Sequence, residues 1–218
     1  MDFLNINGQY GHFFINLKEI SNNGIAYFEI KDYTNLQLVI KEAVDIIKTY
    51  SPKLICYTVN NCNLDCNILY SEKEYFLSHR RYKSNKNFKF KQLDLVNRYD
   101  FSKIYERTIE DYCNMSSLNS ADVFEMMKDT KNNLGYIIYK KEIIAIYNIK
   151  GNYIDIISLD KLYQNRGYGS IILEKLINKI DNDVYVKVSS NNKRMISLLE
   201  KMEFIYNNKC INWYIWEE

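Results

Sequence analysis

Proline is almost absent from this chain: Pro52 is the one proline in 218 residues. That excludes collagen-like and Pro-rich linker architectures. Histidine is nearly as scarce, with His12 and His79 alone. The five cysteines stand at 56, 62, 66, 113 and 210. Cys62 and Cys66 are spaced C-x3-C with Cys56 nearby, but a zinc site needs a fourth ligand, so no metal is expected. An odd number of scattered cysteines excludes a disulfide framework and points to reduced thiols in a cytoplasmic protein. No run reaches the roughly 18 apolar residues of a membrane-spanning helix. The start, Met1-Asp2-Phe3-Leu4-Asn5, lacks the basic and apolar regions of a secretory signal. No membrane partner is expected. An excess of one charge is missing as well: 29 basic residues face 27 acidic ones, so bulk charge draws in no polyanion.

What is present is a large apolar fraction, 47%, and 20 tyrosines. The length fits one large domain or two small ones. Residues 12–18 and 25–31 alternate as two strands, joined by the turn Ser21-Asn22-Asn23-Gly24. Thr34-Asn35-Leu36-Gln37 fits a capping box, and Leu36, Val39, Ile40, Ala43, Val44, Ile47 and Tyr50 then fall on one helical face. Ser51-Pro52 stops that helix. Leu54 to Val59 is a short strand, 60–67 a loop, and 68–70 and 75–82 two weaker strands. Arg80 to Lys91 is basic, with Phe88 and Phe90 interleaved. Such a run can contact nucleic acid, but charge runs are more often solvated faces, and nucleic acid is not expected as a partner. Residues 80–87 read as a linker and 88–94 as the first strand of a second half. This divides the chain into 1–85 and 86–218.

The second half continues with helices near 99–113 and 120–129 and a meander of strands at 134–140, 142–150 and 152–159. The breaks at Lys140-Lys141 and Lys150-Gly151-Asn152 suit tight hairpins. Then comes the stretch with the clearest chemistry, Gln164-Asn165-Arg166-Gly167-Tyr168-Gly169. The apolar run Ile154 to Leu159 precedes it, and a helix with buried face Ile172, Leu173, Leu176, Ile177 and Ile180 follows. A loop at a helix N-terminus offers free N–H groups and the positive end of the dipole. Gly167 and Gly169 remove side chains that would hold an anion away, and Arg166 adds a forked cation suited to phosphate. A strand from Val184 to Val188, a helix from Asn191-Asn192 to Met202, and strands near 204–207 and 211–216 complete the chain. No Gly-Lys-Ser/Thr triplet exists for a P-loop. A dinucleotide fingerprint would put glycine at 172, where the chain has isoleucine.

Three antiparallel strands, the loop, its helix and a returning strand resemble the GNAT family, the Gcn5-related N-acetyltransferases. Their Gln/Arg-x-x-Gly-x-Gly/Ala signature stands here at Gln164 to Gly169, with Leu159 in the aliphatic position before it. Asn192, Leu198 and Phe204 match a second block; the family's tyrosine falls on Leu199 and its glycine on Glu203. The resemblance implies an α/β (α+β) fold, with a mixed, mostly antiparallel sheet flanked by helices and an N-terminal α/β half of related topology. It implies acetyl-CoA as cosubstrate, with Leu159, Gln164, Asn165, Arg166, Gly167, Tyr168, Gly169, Ser170 and Asn192 binding it. The implied activity is acetyl transfer to a primary amine. The alternative is a non-catalytic acyl-CoA sensor or interaction module.

Amine transfer needs a base and a proton donor. Asp155 is the base candidate, because alternation puts it on one face with Ile157 and Leu159. Tyr206 is the acid candidate, beside Tyr153 and Tyr214. The N-terminal half reads as an eroded second copy whose loop, Lys31-Asp32-Tyr33-Thr34, has neither Gly nor Arg. It is expected to extend the sheet or shape the acceptor pocket and not to bind CoA. A homodimer is compatible with all of this.

Overall fold

The computed structural model describes residues 3–60, 64–65, 67–83, 88–109 and 118–217. In chain order its elements are β1 (Phe3–Asn7), β2 (Gly11–Asn16), α1 (Lys18–Asn23), β3 (Ile25–Tyr33), α2 (Leu36–Lys48), β4 (Leu54–Val59) and β5 (Ile68–Leu77). Then follow β6 (Lys89–Gln92), α3 (Arg98–Ile109), α4 (Ser120–Lys128), β7 (Asn132–Tyr139), β8 (Glu142–Lys150) and β9 (Tyr153–Leu159). A 3-10 turn, Lys161–Tyr163, leads to α5 (Tyr168–Ile177), β10 (Val184–Ser189), α6 (Lys193–Lys201) and β11 (Ile205–Ile215). The chain forms two compact units, Met1–Glu72 with Cys210–Glu218, and Lys73–Lys209. Residues 73–85 thus group with the second unit and 210–218 with the first.

In the first unit β1, β2 and β3 form an antiparallel meander. The crossover α2 then returns the chain so that β4 runs parallel to β3 along six ladder pairs, Ile25↔Leu54 to Ile30↔Val59. Tyr214 and Ile215 pair antiparallel with Tyr57 and Cys56. Val39, Ala43, Val44 and Ile47 are buried at helical spacing on α2. They pack with Phe13, Ile15, Phe28 and Ile30, and each large aliphatic side chain so buried contributes about 1.5–3 kcal/mol. The cap falls at Asn35, one residue after the expected Thr34, and the helix begins at Leu36. Asn35 accepts from the Leu38 N–H at 3.1 Å, while the Thr34 hydroxyl donates to the Tyr10 carbonyl at 3.1 Å. The turn expected at 21–24 is instead the end of α1, stopped by Gly24 at φ +79°.

In the second unit β6, β7, β8 and β9 are successive antiparallel neighbours, and β10 lies parallel beside β9 with β5 on its other side. Lys140 and Lys141 both adopt positive φ, +50° and +75°, as a two-residue hairpin of this hand requires. Side chains alternate along β8. Tyr147 joins the cluster under α5 and α6, and Ile146 joins the one under α3 and α4. The weak strands expected at 68–70 and 75–82 are one strand, β5. The two expected at the C-terminus are likewise one, β11, in which Asn208 takes φ +62°. Cys62, Cys66, Cys113 and the expected continuation of α3 beyond Ile109 lie outside the described residues.

Helix α6 ends in a paired cap: Phe204 N–H donates to the Leu199 carbonyl and Glu203 N–H to the Glu200 carbonyl, each at 3.0 Å. Leu199 and Phe204 share a buried cluster, which is the apolar contact this cap uses. The cap forces residue 203 into the left-handed region, and Glu203 sits there at φ +66°. A glycine is favoured at such a site, where a side chain costs about 1 kcal/mol. Glu203 also pairs with Arg80 at 2.5 Å, but both side chains are largely exposed, and such pairs are worth little. Glu203→Gly is therefore expected to stabilise the protein by about 0.5–1 kcal/mol in urea denaturation; a loss of stability would refute this account of the cap.

Candidate active site

β9 and β10 are parallel neighbours, yet among the described residues they share one ladder pair, Tyr153↔Tyr185, at the start of both strands. The Tyr185 N–H donates to the Asn152 carbonyl at 2.9 Å just before it. Beyond that point the ladder stops. Toward Leu159 and Ser189 no further ladder pair joins the strands among the described residues, and this unpaired stretch between their C-terminal ends is the opening of the candidate site. Ligands of open α/β sheets bind outside the carboxyl ends of the strands.

The closed end of the opening is clamped. Glu74 of β5 is buried, with a side chain 6% exposed. It accepts from the Tyr153 hydroxyl at 2.9 Å and from the Asn207 amide, and it pairs with Lys209 at 3.3 Å. Burial alone pushes this carboxyl upward, but the hydrogen bonds from Asn207, Tyr153 and Lys209 and the Lys209 charge outweigh it and hold the pKa below its ordinary value. Tyr153 is shifted upward by its own burial and by the Glu74 charge.

At the open end the chain leaves β9 through Leu159 and Asp160. Asp160 is 5% exposed; it accepts from the Leu162 N–H at 3.1 Å and forms an ion pair with Arg107 of α3 at 2.7 Å. Gln164 reaches back, its amide donating to the Leu159 carbonyl at 2.9 Å, while its carbonyl accepts from Arg194 of α6 at 3.1 Å. Asn165 at φ +60° and Gly167 at φ +74° then swing the backbone into α5. Gly167 caps that helix without a side-chain bond, and a Cβ there would meet nothing within 4 Å. The space in front of the helix N-terminus is open. A Cβ on Gly169 would lie 3.5 Å from Leu198 Cδ2, an ordinary contact, so packing within the protein does not demand glycine at 169. Arg166 is exposed, its guanidinium 5.7 Å from the Tyr163 ring. The Tyr168 ring turns inward onto Phe88 and Tyr139, and the Ser170 hydroxyl donates to the Gly167 carbonyl at 3.1 Å. Asn192 caps α6 by accepting from the Met195 N–H at 3.0 Å.

Alternation does not carry through β9 as the sequence suggests. The register shifts so that Asn148 opposes Ile156 and Ile149 opposes Ile154, leaving Asp155 as an extra residue, a bulge. Ile154, Ile157 and Leu159 all pack toward α5 and α6, whereas Asp155 is exposed and bonds Asn148, which shares a face of β8 with Ile146. The single face expected for Asp155, Ile157 and Leu159 is thus interrupted. Tyr206 packs with the cluster under α5 and α6, its ring 5.8 Å from that of Tyr75. The structure therefore gathers Leu159 and residues 164–170 into one site and puts Asp155 and Tyr206 in separate neighbourhoods. Leu199, at the tyrosine position of the family pattern, is fully buried.

Arg107, Asp160 and Asn148 were not singled out from sequence. Asn148 carries a signal, a polar residue inside the run Ile143 to Ile149. Arg107 carries none, because its partner is 53 residues away. In the basic segment, Arg80 is paired with Glu203, and Arg81 with Asp181 and the Asn178 carbonyl.

The chain belongs to the acetyltransferase (GNAT) family, whose profile matches residues 93–204, just over half of the 218 residues. Solved structures share the fold. A GCN5-related N-acetyltransferase from Sphaerobacter thermophilus superposes with TM-score 0.65 at 8% identity, over 94% of this chain and 76% of its own. A conserved protein of unknown function from Staphylococcus epidermidis gives 0.64 at 12%, over 98% and 93%. A tandem GNAT protein from the clavulanic acid biosynthesis pathway gives 0.62 at 9%, over 99% and 83%. No curated protein matches the sequence.

The Glu74 clamp has a pH signature. Because the carboxyl is depressed in the folded state, its contribution is present above the ordinary value of 4.5 and is lost as pH falls through the lower folded value. Glu74→Gln is expected to cost about 1–2 kcal/mol at pH 7. The gap to wild type should narrow as pH falls from 4.5 through the lower folded value; a gap that does not narrow below pH 4.5 would contradict the clamp. Arg107→Ala leaves the buried Asp160 carboxylate without its cation. A cost of about 1–3 kcal/mol is expected, below that of a fully buried pair because Arg107 is half exposed; unchanged thermal stability would show that the ion pair does not anchor the loop.

Proposed function

We propose that this protein is an N-acetyltransferase that moves the acetyl group of acetyl-CoA to a primary amine by direct attack. The observation that carries the reading is the opening between β9 and β10 leading to Gly167 and the free space before α5. The backbone amides from Arg166 to Ser170 would hold the pyrophosphate at the positive end of the helix, with Arg166 adding charge. Gln164 and Asn165 shape the turn that presents those amides. Leu159 would offer its backbone to the pantetheine arm and the thioester carbonyl, and Asn192 its side chain to a pantetheine amide.

In the reaction the amine nitrogen forms a bond to the thioester carbon, the carbon–sulfur bond breaks, and the sulfur leaves as thiolate. Asp155 takes the proton that the amine gives up, and Tyr206 returns one to the sulfur. An N–H at the end of β9 stabilises the oxyanion. The second reading, an acyl-CoA-binding module without catalysis, is favoured by Leu199: this position offers no hydroxyl and is closed within the core.

The first test is calorimetry with acetyl-CoA. Gly169→Asp is expected to weaken binding at least tenfold, about 1.4 kcal/mol, with the fold intact, because the first turn of a helix tolerates Asp. Wild-type affinity in that variant would refute the loop assignment. Thiol release with spermidine, tyramine, a free tripeptide and a lysine-containing peptide then separates the readings. Turnover with any of them establishes the enzyme, and binding without turnover establishes the module.

A further inference from the structure

One polar side chain lies deep in the second unit with its acceptor oxygen unused. Asn148 is fully buried in β8, between the apolar neighbours Tyr147 and Ile149. Both its amide hydrogens are committed. The side-chain nitrogen donates to Asn132 Oδ1 at 2.9 Å and to Asp155 Oδ2 at 3.0 Å. These two acceptors fix which end of the amide is nitrogen. Asn132 is held in turn, its own amide donating to the Met126 carbonyl at the end of α4 at 3.1 Å. A hydrogen-bonded chain therefore runs from α4 across β7 and β8 to the carboxylate of Asp155, at the bulge in β9.

The other end of Asn148 is unsatisfied: its Oδ1 is buried and has no hydrogen-bond partner among the described residues. A buried acceptor left alone costs about 1–3 kcal/mol. The two groups that Asn148 holds do not need it for their own satisfaction. Asp155 is exposed and Asn132 half-buried, and both can turn to solvent. An apolar side chain of the same shape at 148 would fill the space without that cost. The fold alone thus gives no reason for asparagine here, whereas the position of Asp155 does. As the bulge residue, Asp155 has no ladder partner on β8, and the Asn148 amide is the one described hydrogen bond on its carboxylate.

We propose that Asn148 is a positioning residue, retained at a cost in stability, that fixes the direction of the Asp155 carboxylate. This rests on the reading of Asp155 as the base. The test is steady-state kinetics and thermal denaturation of Asn148→Leu and Asp155→Asn, with whichever of the four amines above gives the fastest thiol release. For Asn148→Leu the expected result is a fall in kcat of tenfold or more, a KM for acetyl-CoA within twofold of wild type, and a Tm equal to or above wild type. A merely structural asparagine would lower kcat and Tm together, and that result overturns the proposal. So does a kcat within twofold of wild type in Asn148→Leu while Asp155→Asn is inactive; that outcome leaves the base assignment standing. Wild-type turnover in Asp155→Asn, or no turnover with any of the four amines, removes the base reading and this inference with it. If Asn148→Leu does not fold, Asn132→Ala breaks the same chain from its half-buried end. A threefold or larger fall in kcat is then expected, and an unchanged kcat overturns the proposal.

Discussion

The parting of β9 from β10 is the constraint on which the second unit depends. Two parallel strands that pair fully leave no room between them, and two that never pair have no fixed geometry. Here one pair, Tyr153↔Tyr185, holds the strands at their start. Glu74 stiffens that end through Tyr153, and the antiparallel ladder with β8 holds β9 along its length. At the far end Gln164 and the Arg107–Asp160 ion pair fix the direction in which the chain leaves the strand. The loop and α5 are therefore placed by contacts to β9, α3 and α6.

The first unit shows what the absence of that constraint does. Its order, three antiparallel strands, a helix and a parallel strand, repeats that of β7 to β10. Yet β3 and β4 pair along six residues and close the space that β9 and β10 leave open. The chain leaves β3 at Tyr33 and enters α2 through Asn35, whose side chain caps the helix N-terminus that an anion would need. The first unit thus shares its order of elements with β7 to β10 but not the break in the ladder.

Much of this was legible in the sequence because it depends on local pattern. The strand, loop and helix around Gly167 follow from alternation, two glycines and an apolar helical face. The hairpin at Lys140-Lys141 follows from its spacing. What stayed hidden depends on partners distant in sequence or on single backbone angles. The bulge at Asp155 arises from a register shift against β8 that no pattern within Tyr153 to Leu159 announces. Arg107 meets Asp160 only because α3 packs across the sheet. Glu203 looked like a loss of a family glycine; its positive φ shows that the backbone conformation was kept and the residue best suited to it was not. In the first unit, β1 is short and half exposed and gives little pattern, and the Asn and Gly at the end of α1 signal a turn.

Amide hydrogen exchange with and without acetyl-CoA distinguishes a second unit that takes the acyl-CoA from a first unit that does not. Adding acetyl-CoA is expected to slow exchange at residues 156–159 and 164–170 and to leave 30–38 unchanged. Protection at 30–38, or none at 164–170 under saturating acetyl-CoA, would place the ligand elsewhere.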